Sequence, residues 1–180
     1  MNAFQGKYTE AEPFYERAQA IREKVLGAEH PGVAETLNDR AGLLTSQGKY
    51  TEAEPFYERA LAIREKVLGS EHPDVAATLN DRAGLLTSQG KYEEAGPLYK
   101  RSLAIDENVH GPDHPDVARD LNNWAGLLQA QEKFTEAVPL LERALSIRTK
   151  KLGDNHPDTV STHNSLEVVR KEACAQLGSL

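Results

Sequence analysis

The chain has 180 residues, of which 27% are charged, and a formal net charge of −7. It holds no block of Lys or Arg, so it lacks the basic face that binds phosphates, and nucleic acid is not expected as a partner. No apolar run approaches the roughly 20 residues of a membrane span, and the N-terminus lacks the apolar core of a signal peptide, so no membrane association is expected. The single Cys174 cannot form an internal disulfide, which favours a reducing, cytoplasmic location.

Four copies of a 42-residue repeat make up the chain, and such a period decides the fold before any single motif does. The first two copies, 6–47 and 48–89, differ at only 4 of 42 positions. The third copy, 90–131, has diverged, and the fourth, 132–180, ends in a C-terminal capping helix. The chain begins in the middle of a repeat. We therefore expect a single repeat array over residues 1–180, whose N-terminal end is open.

The first half of each repeat predicts an amphipathic helix. In the second copy, apolar residues recur at steps of four, three and four over 56–67, which is one helix face. Thr51 followed by Glu54 has the pattern of a capping box at the start of this helix. Gly48 and Gly69 follow apolar runs, as a glycine beyond a helix C-terminus does.

The second half of each repeat predicts another helix, which begins at Pro73 in the second copy. Proline suits the first helical position because its φ is preset and no hydrogen-bond donor is lost. Asp74 in the first turn is favoured by the positive end of the helix dipole. The predicted apolar face consists of Val75, Ala76, Leu79, Ala83 and Leu86. Each repeat is thus expected to be an antiparallel helix pair, and the fold all-α with about eight helices.

A histidine precedes the proline in every copy, and His is also a metal ligand. The four residues are His30, His72, His114 and His156. Stacked helices lie roughly 8–10 Å apart, so the first and last of these are about 25–30 Å apart. Zinc needs its ligands within about 2.1 Å of one ion, so the four cannot converge on one metal. We expect a structural role for them at the loop-to-helix corner and no metal. Two other histidines, His110 and His163, replace leucines of the repeat and are interpreted as drift near solvent.

The segment "GKYTEAEPFYERALAI" resembles the tetratricopeptide repeat. That family has Gly, Tyr, Ala, an aromatic residue and Ala at fixed steps, which here are Gly48, Tyr50, Ala53, Tyr57 and Ala60. The 42-residue period and the segments "HPDVA" and "REKVLG" are similar to the repeats of kinesin light chains and nephrocystin-3-like proteins. The resemblance implies a right-handed superhelical α-solenoid. It covers essentially the whole chain, but it does not identify a ligand.

The resemblance also implies a concave groove lined by the helix that follows each His-Pro pair. The predicted peptide-binding positions are Asn38, Asn80, Asn122, Asn164, Gly42, Gly84, Gly126, Thr45, Thr87, Gln129 and Arg119. The four asparagines form what we call the asparagine ladder. Each can donate and accept hydrogen bonds, as the backbone of an extended peptide requires. The alternative, in which the asparagines cap or join neighbouring helices inside the array, remains open.

These features predict a protein-interaction scaffold rather than an enzyme. No nucleophile elbow and no P-loop occur, and no cofactor is expected. Arg119 is the only predicted groove cation, so a near-neutral, polar peptide is the expected partner. Self-association through the open N-terminal end is a further expectation. The alternative function is a regulatory or sensor array of a larger NB-ARC-type signalling ATPase, since related arrays occur in such proteins.

Overall fold

The computed structural model describes the backbone of residues 3–178 and the side chains of residues 11–178. This part of the chain forms eight helices and no strand, which confirms the all-α prediction. The helices are α1 (Ala3–Leu26), α2 (Pro31–Ser46), α3 (Tyr50–Leu68), α4 (Pro73–Ser88), α5 (Tyr92–His110), α6 (Pro115–Ala130), α7 (Phe134–Leu152) and α8 (Pro157–Gly178). None of the described helices is both long and apolar enough to cross a membrane.

The chain divides into two compact units, Met1–Leu85 and Leu86–Leu180, with the boundary inside α4. In the first unit, α2 packs on α3 through the buried side chains of Leu37, Ala60 and Ile63. A second cluster places Leu44 of α2 against Tyr57 of α3. Small residues at these crossings let the helix backbones approach closely, and that is why alanine recurs at fixed steps in the sequence.

The second unit repeats this arrangement, with the same residue types at the positions that match Leu37, Ala60 and Ile63. One cluster joins Leu121 of α6 to Ile147 of α7. Another joins Leu141 of α7 to Leu166 and Val169 of α8. The sequence that follows Leu166 continues as the same helix, so the predicted C-terminal cap is the second half of α8.

The predicted capping box at the start of α3 is wrong. The helix begins at Tyr50, its N-cap is Lys49, and no side chain caps it. Thr51 therefore already lies inside the first turn, where its hydroxyl is not in the N-cap position. The predicted glycine at the preceding turn is confirmed, because Gly48 has a φ of +75°. In the fourth copy Glu132 takes the same position with a φ of +59°.

The predicted apolar face of α3 is buried only in its central part. Ala60 and Ile63 are fully buried against α2, whereas Val67 in the last turn is 48% exposed. The matching valine of the third copy, Val109, is 45% exposed as well. The predicted apolar face of α4, from Val75 to Leu86, is buried throughout.

Candidate functional site

The four His-Pro corners are helix N-caps made by the histidine side chain. The Nδ1 atom accepts a hydrogen bond from the backbone N–H two residues on, at 3.0 Å for His30, 3.1 Å for His72, 3.3 Å for His114 and 3.2 Å for His156. The following proline favours extended backbone in the residue before it, which is the conformation an N-cap needs. At His30, φ is −77° and ψ is 140°. The predicted corner position is therefore correct, and the side chain itself supplies the cap.

An arginine clasp, which the sequence analysis missed, holds the two helices at these corners together. Arg64 of α3 donates through Nη1 to the Thr78 hydroxyl and to the Asp74 carbonyl oxygen of α4. The same clasp joins Arg22 to Thr36 and Arg148 to Thr162. Arg and Thr recur at matching positions of three copies, so the 42-residue alignment could have indicated that these two residues contact each other.

The third copy replaces this clasp with a group of buried acids. Asp106 stands at the arginine position and Asp120 at the threonine position, and both are almost fully buried. The positive charge comes instead from Arg119, whose Nη2 atom lies 3.1 Å from Asp106 and 3.2 Å from Asp120. Ser102 donates a 2.7 Å hydrogen bond to Asp120. Burial, followed by the negative charge of Asp120, raises the pKa of the Asp106 carboxyl to about 7.

Arg119 was predicted to be the cation of the groove. Its guanidinium contacts Asp106 and Asp120 and also lies 2.9 Å from Asp116. This side chain therefore neutralises carboxylates of its own unit. Contact between Arg119 and a peptide, and the near-neutral charge of that peptide, stay predictions.

Two members of the asparagine ladder have partners on neighbouring helices. The Asn38 amide donates a 2.8 Å hydrogen bond to the Asp81 carboxylate, which joins α2 to α4. The Asn122 amide oxygen lies 3.4 Å from the Thr162 hydroxyl, between α6 and α8. These contacts favour the structural alternative for both residues. Their contact with a peptide stays a prediction.

The other two asparagines differ sharply in exposure. Asn80 is only 2% exposed, so little of its amide is accessible to a ligand. Asn164 is exposed and lines a groove of about 660 Å³ between α6 and α8 in the second unit. The side chains around this groove are Gln129, Pro157, Val160, Ser161, Asn164, Ser165 and Val168. Of the predicted positions, Gln129 and Asn164 are thus brought together.

The glycines of the predicted groove face different surroundings. Apart from the neighbouring backbone of its own helix, no described atom lies within 4 Å of a Cβ built on Gly126, whereas at Gly42 the Tyr57 hydroxyl would be 3.6 Å away. Packing therefore does not require glycine at position 126. The remaining predicted positions, all half-buried, are Gly84, Thr45 and Thr87.

Consecutive packed helix pairs with a 42-residue period define an α-solenoid, a class of repeat protein. Ala53, Tyr57 and Ala60, the residues with the fixed steps, are buried at the helix crossings. Tetratricopeptide repeat family models match residues 1–66, 35–95, 74–123 and 118–158. The chain belongs to the tetratricopeptide repeat family, whose arrays are in general scaffolds for protein–protein interaction.

Solved structures similar to this chain are of the kinesin light chain type. BtubC (BKLC) from P. vanneervenii has a TM-score of 0.81 and 29% identity, over 93% of this chain and 67% of that chain. A kinesin light chain protein from Podospora anserina with nearly identical TPR-like repeats has a TM-score of 0.77 and 28% identity, over 96% of this chain and 82% of that chain. A variant of the latter has a TM-score of 0.78. Among curated proteins, none matches the chain significantly.

Proposed function

We propose that this chain is a scaffold that binds an extended peptide in the groove between α6 and α8. The main observation in support is a pair of exposed valines on one face of α8. Val160 is 44% and Val168 is 56% exposed, and Asn164 lies midway between them. Eight helical residues span about 12 Å. Five successive residues of an extended peptide span about 13 Å between the first and the last, and both of these point to the same side.

This match of lengths predicts the sequence pattern of the ligand. Two apolar residues four positions apart would contact Val160 and Val168. The residue between them, which points to the same side, would face Asn164. Since an amide can both donate and accept, a polar residue is favoured there. The expected motif is therefore apolar-x-polar-x-apolar along the axis of α8.

The groove also favours a ligand without charge. Among the described residues, its lining consists of amides, hydroxyls, one proline and the two valines, with no charged side chain. A charged peptide residue would find no ionic partner among these side chains. The proposed ligand is thus a near-neutral, polar peptide with two apolar anchors.

Gly126, one turn from Gln129 on α6, supports the proposal independently. A glycine inside a helix costs about 1 kcal/mol relative to alanine. No described neighbour needs the space at this position. Close approach by a ligand backbone would account for the glycine, because a side chain there would hold that backbone away.

Selection of peptides from a random display library on the full chain tests this function. We expect enrichment of the apolar-x-polar-x-apolar motif. Val160→Ser and Val168→Ser should each weaken a selected peptide about tenfold, since a valine contributes about 1.5–3 kcal/mol when fully buried. Val67→Ser is the matched control, because it removes an exposed valine of the first unit. Peptides that bind both groove variants as tightly as the wild type would refute the groove.

Two further expectations stay predictions. Self-association would use the exposed side chains of α1, where Phe14 is 72%, Ile21 51% and Val25 72% exposed. If a second copy of the chain binds to this face of α1, the sedimentation coefficient should rise with protein concentration, and Phe14→Ser should abolish the rise. The alternative of a sensor array attached to a signalling ATPase predicts a contact with such a domain.

A further inference from the structure

The third His-Pro corner differs from the other three by an added histidine. His110 is the last residue of α5, His114 is the N-cap of α6, and Asp116 lies in the first turn of α6. Each offers a ligand atom, and these three atoms lie within 4.8 Å of one another. The two imidazole rings stack with centroids 4.4 Å apart and planes 22° from parallel. Two imidazoles and a carboxylate are a ligand set suited to zinc and its neighbours in the transition series.

The other corners provide an internal comparison. The distance from the cap histidine Nδ1 to the carboxylate two residues on is 3.2 Å at His114, against 3.8 Å at His72 and 3.9 Å at His156. The cap hydrogen bond of His114, at 3.3 Å, is the longest of the four. At the third corner the carboxylate thus lies closest to the cap imidazole. The residues that match His110 in the other copies are Leu26, Leu68 and Leu152.

The spacing of the ligand atoms fits tetrahedral coordination of a metal ion. Ligand atoms about 2.1 Å from zinc at tetrahedral angles are about 3.4 Å from one another. The His114 and Asp116 atoms are already 3.2 Å apart. His110 must turn out of its stack to aim a nitrogen at the same point. It is exposed and ends its helix, so rotation of its side chain meets little resistance.

The electrostatics of this corner favour a cation. The basic side chain in contact with Asp116 is that of Arg119, which also contacts the carboxyl groups of Asp106 and Asp120. Three carboxyl groups thus surround one guanidinium, which gives this corner an acidic character. Arg119 donates to Oδ1 of Asp116, which leaves the other oxygen directed at His114.

We propose that His110, His114 and Asp116 bind one divalent transition-metal ion of the zinc type, with water in the fourth position. The ion takes the place of the cap hydrogen bond that the His114 Nδ1 atom accepts. It links the end of α5 to the start of α6 across the connecting turn. The first, second and fourth corners lack the matching histidine, and they remain structural caps without metal.

Calorimetric titration of the untagged full chain with ZnCl₂ in metal-free buffer tests the site. We expect one zinc ion per chain. His110→Leu should lower the association constant by more than tenfold, because the loss of even an outer-shell partner costs about 10–100-fold. This variant restores the leucine found in the other three copies, so the fold should persist, as circular dichroism will check. His163→Leu removes an exposed histidine of α8 and should bind zinc as the wild type does.

Two outcomes would overturn the site. One is the absence of heat and of any rise in melting temperature with zinc in large excess over the wild-type chain. The other is equal binding by the wild type and His110→Leu, which would assign the zinc to other groups. Co²⁺ gives a second readout, because four-coordinate Co²⁺ absorbs strongly in the visible. That absorption should appear with the wild type and be lost in Asp116→Asn.

Discussion

The side-chain amide of Asn38 donates a 2.8 Å hydrogen bond to the carboxylate of Asp81, 43 residues later in the chain. The bond joins helices of successive repeats inside the first unit. A member of the predicted ligand-binding ladder thus has a partner within the protein. The stability of asparagine variants can therefore separate structural from ligand-binding positions.

Asn38→Ala should destabilise the chain, whereas Asn164→Ala should not. A hydrogen bond contributes about 0.5–1.5 kcal/mol net, so we expect the free energy of unfolding to fall by about 1 kcal/mol for Asn38→Ala. The exposed Asn164 variant should stay within about 0.5 kcal/mol of the wild type. Urea denaturation measures both. Equal losses would mean that the Asn38–Asp81 bond contributes nothing specific.

His72→Ala should cost about 0.5–1 kcal/mol of stability through loss of the N-cap of α4, since caps of this kind typically contribute about 1 kcal/mol. His72→Asn should retain most of that stability, because asparagine is among the best N-cap residues. Thermal unfolding followed by circular dichroism compares the two variants. If both unfold at the same reduced temperature, the imidazole acts through something other than its cap hydrogen bond to Asp74.

Ala60→Leu should destabilise the first unit by about 1–3 kcal/mol, because added bulk in a filled core forces neighbouring side chains and backbone to move. Ala60 is fully buried among Val33, Leu37 and Ile63. Ala62→Leu makes the same chemical change on the exposed face of α3 and should be nearly neutral. Similar unfolding midpoints for the two variants would place the helix contact elsewhere.

The buried acids of the third copy predict a pH dependence of stability. The pKa of Asp106 rises from an ordinary 3.8 to about 7 in the folded chain. The folded chain therefore holds a proton that the unfolded chain has already lost, and stability falls as the pH rises from about 4 to about 7. We expect a lower urea midpoint at about pH 8 than at about pH 5.

Asp106→Asn should reduce the difference in urea midpoint between the two pH values, because the buried group no longer loses a proton. The charged groups that face it, Arg119, Asp116 and Asp120, remain in the variant. Asp113→Asn is the control. Lys150 lowers the pKa of the Asp113 carboxyl, so this residue is ionised throughout the range and its removal should leave the difference unchanged. If the full difference in urea midpoint persists in Asp106→Asn, the pH dependence must come from another group.

The sequence alone was enough to predict the helices and their pairing. Gly48 and Gly69 end helices, Pro73 begins one, and the apolar residues from Val75 to Leu86 mark the buried face. These signals are local, since they depend on φ preferences and on the helical period. The repeat then extended them to the whole array, and the buried alanines at positions 53 and 60 identified the family.

The tertiary structure alone decided which polar groups meet. Asn38 finds Asp81, and Arg119 takes the charge position that Arg64 holds in the second copy, because helix crossing brings side chains from different turns together. Crossing geometry and side-chain rotamers are not properties of any local segment. The same reason explains why His110, a departure from the repeat when viewed along the sequence, lies against His114 in the folded chain: the turn between α5 and α6 reverses the backbone and stacks the two rings.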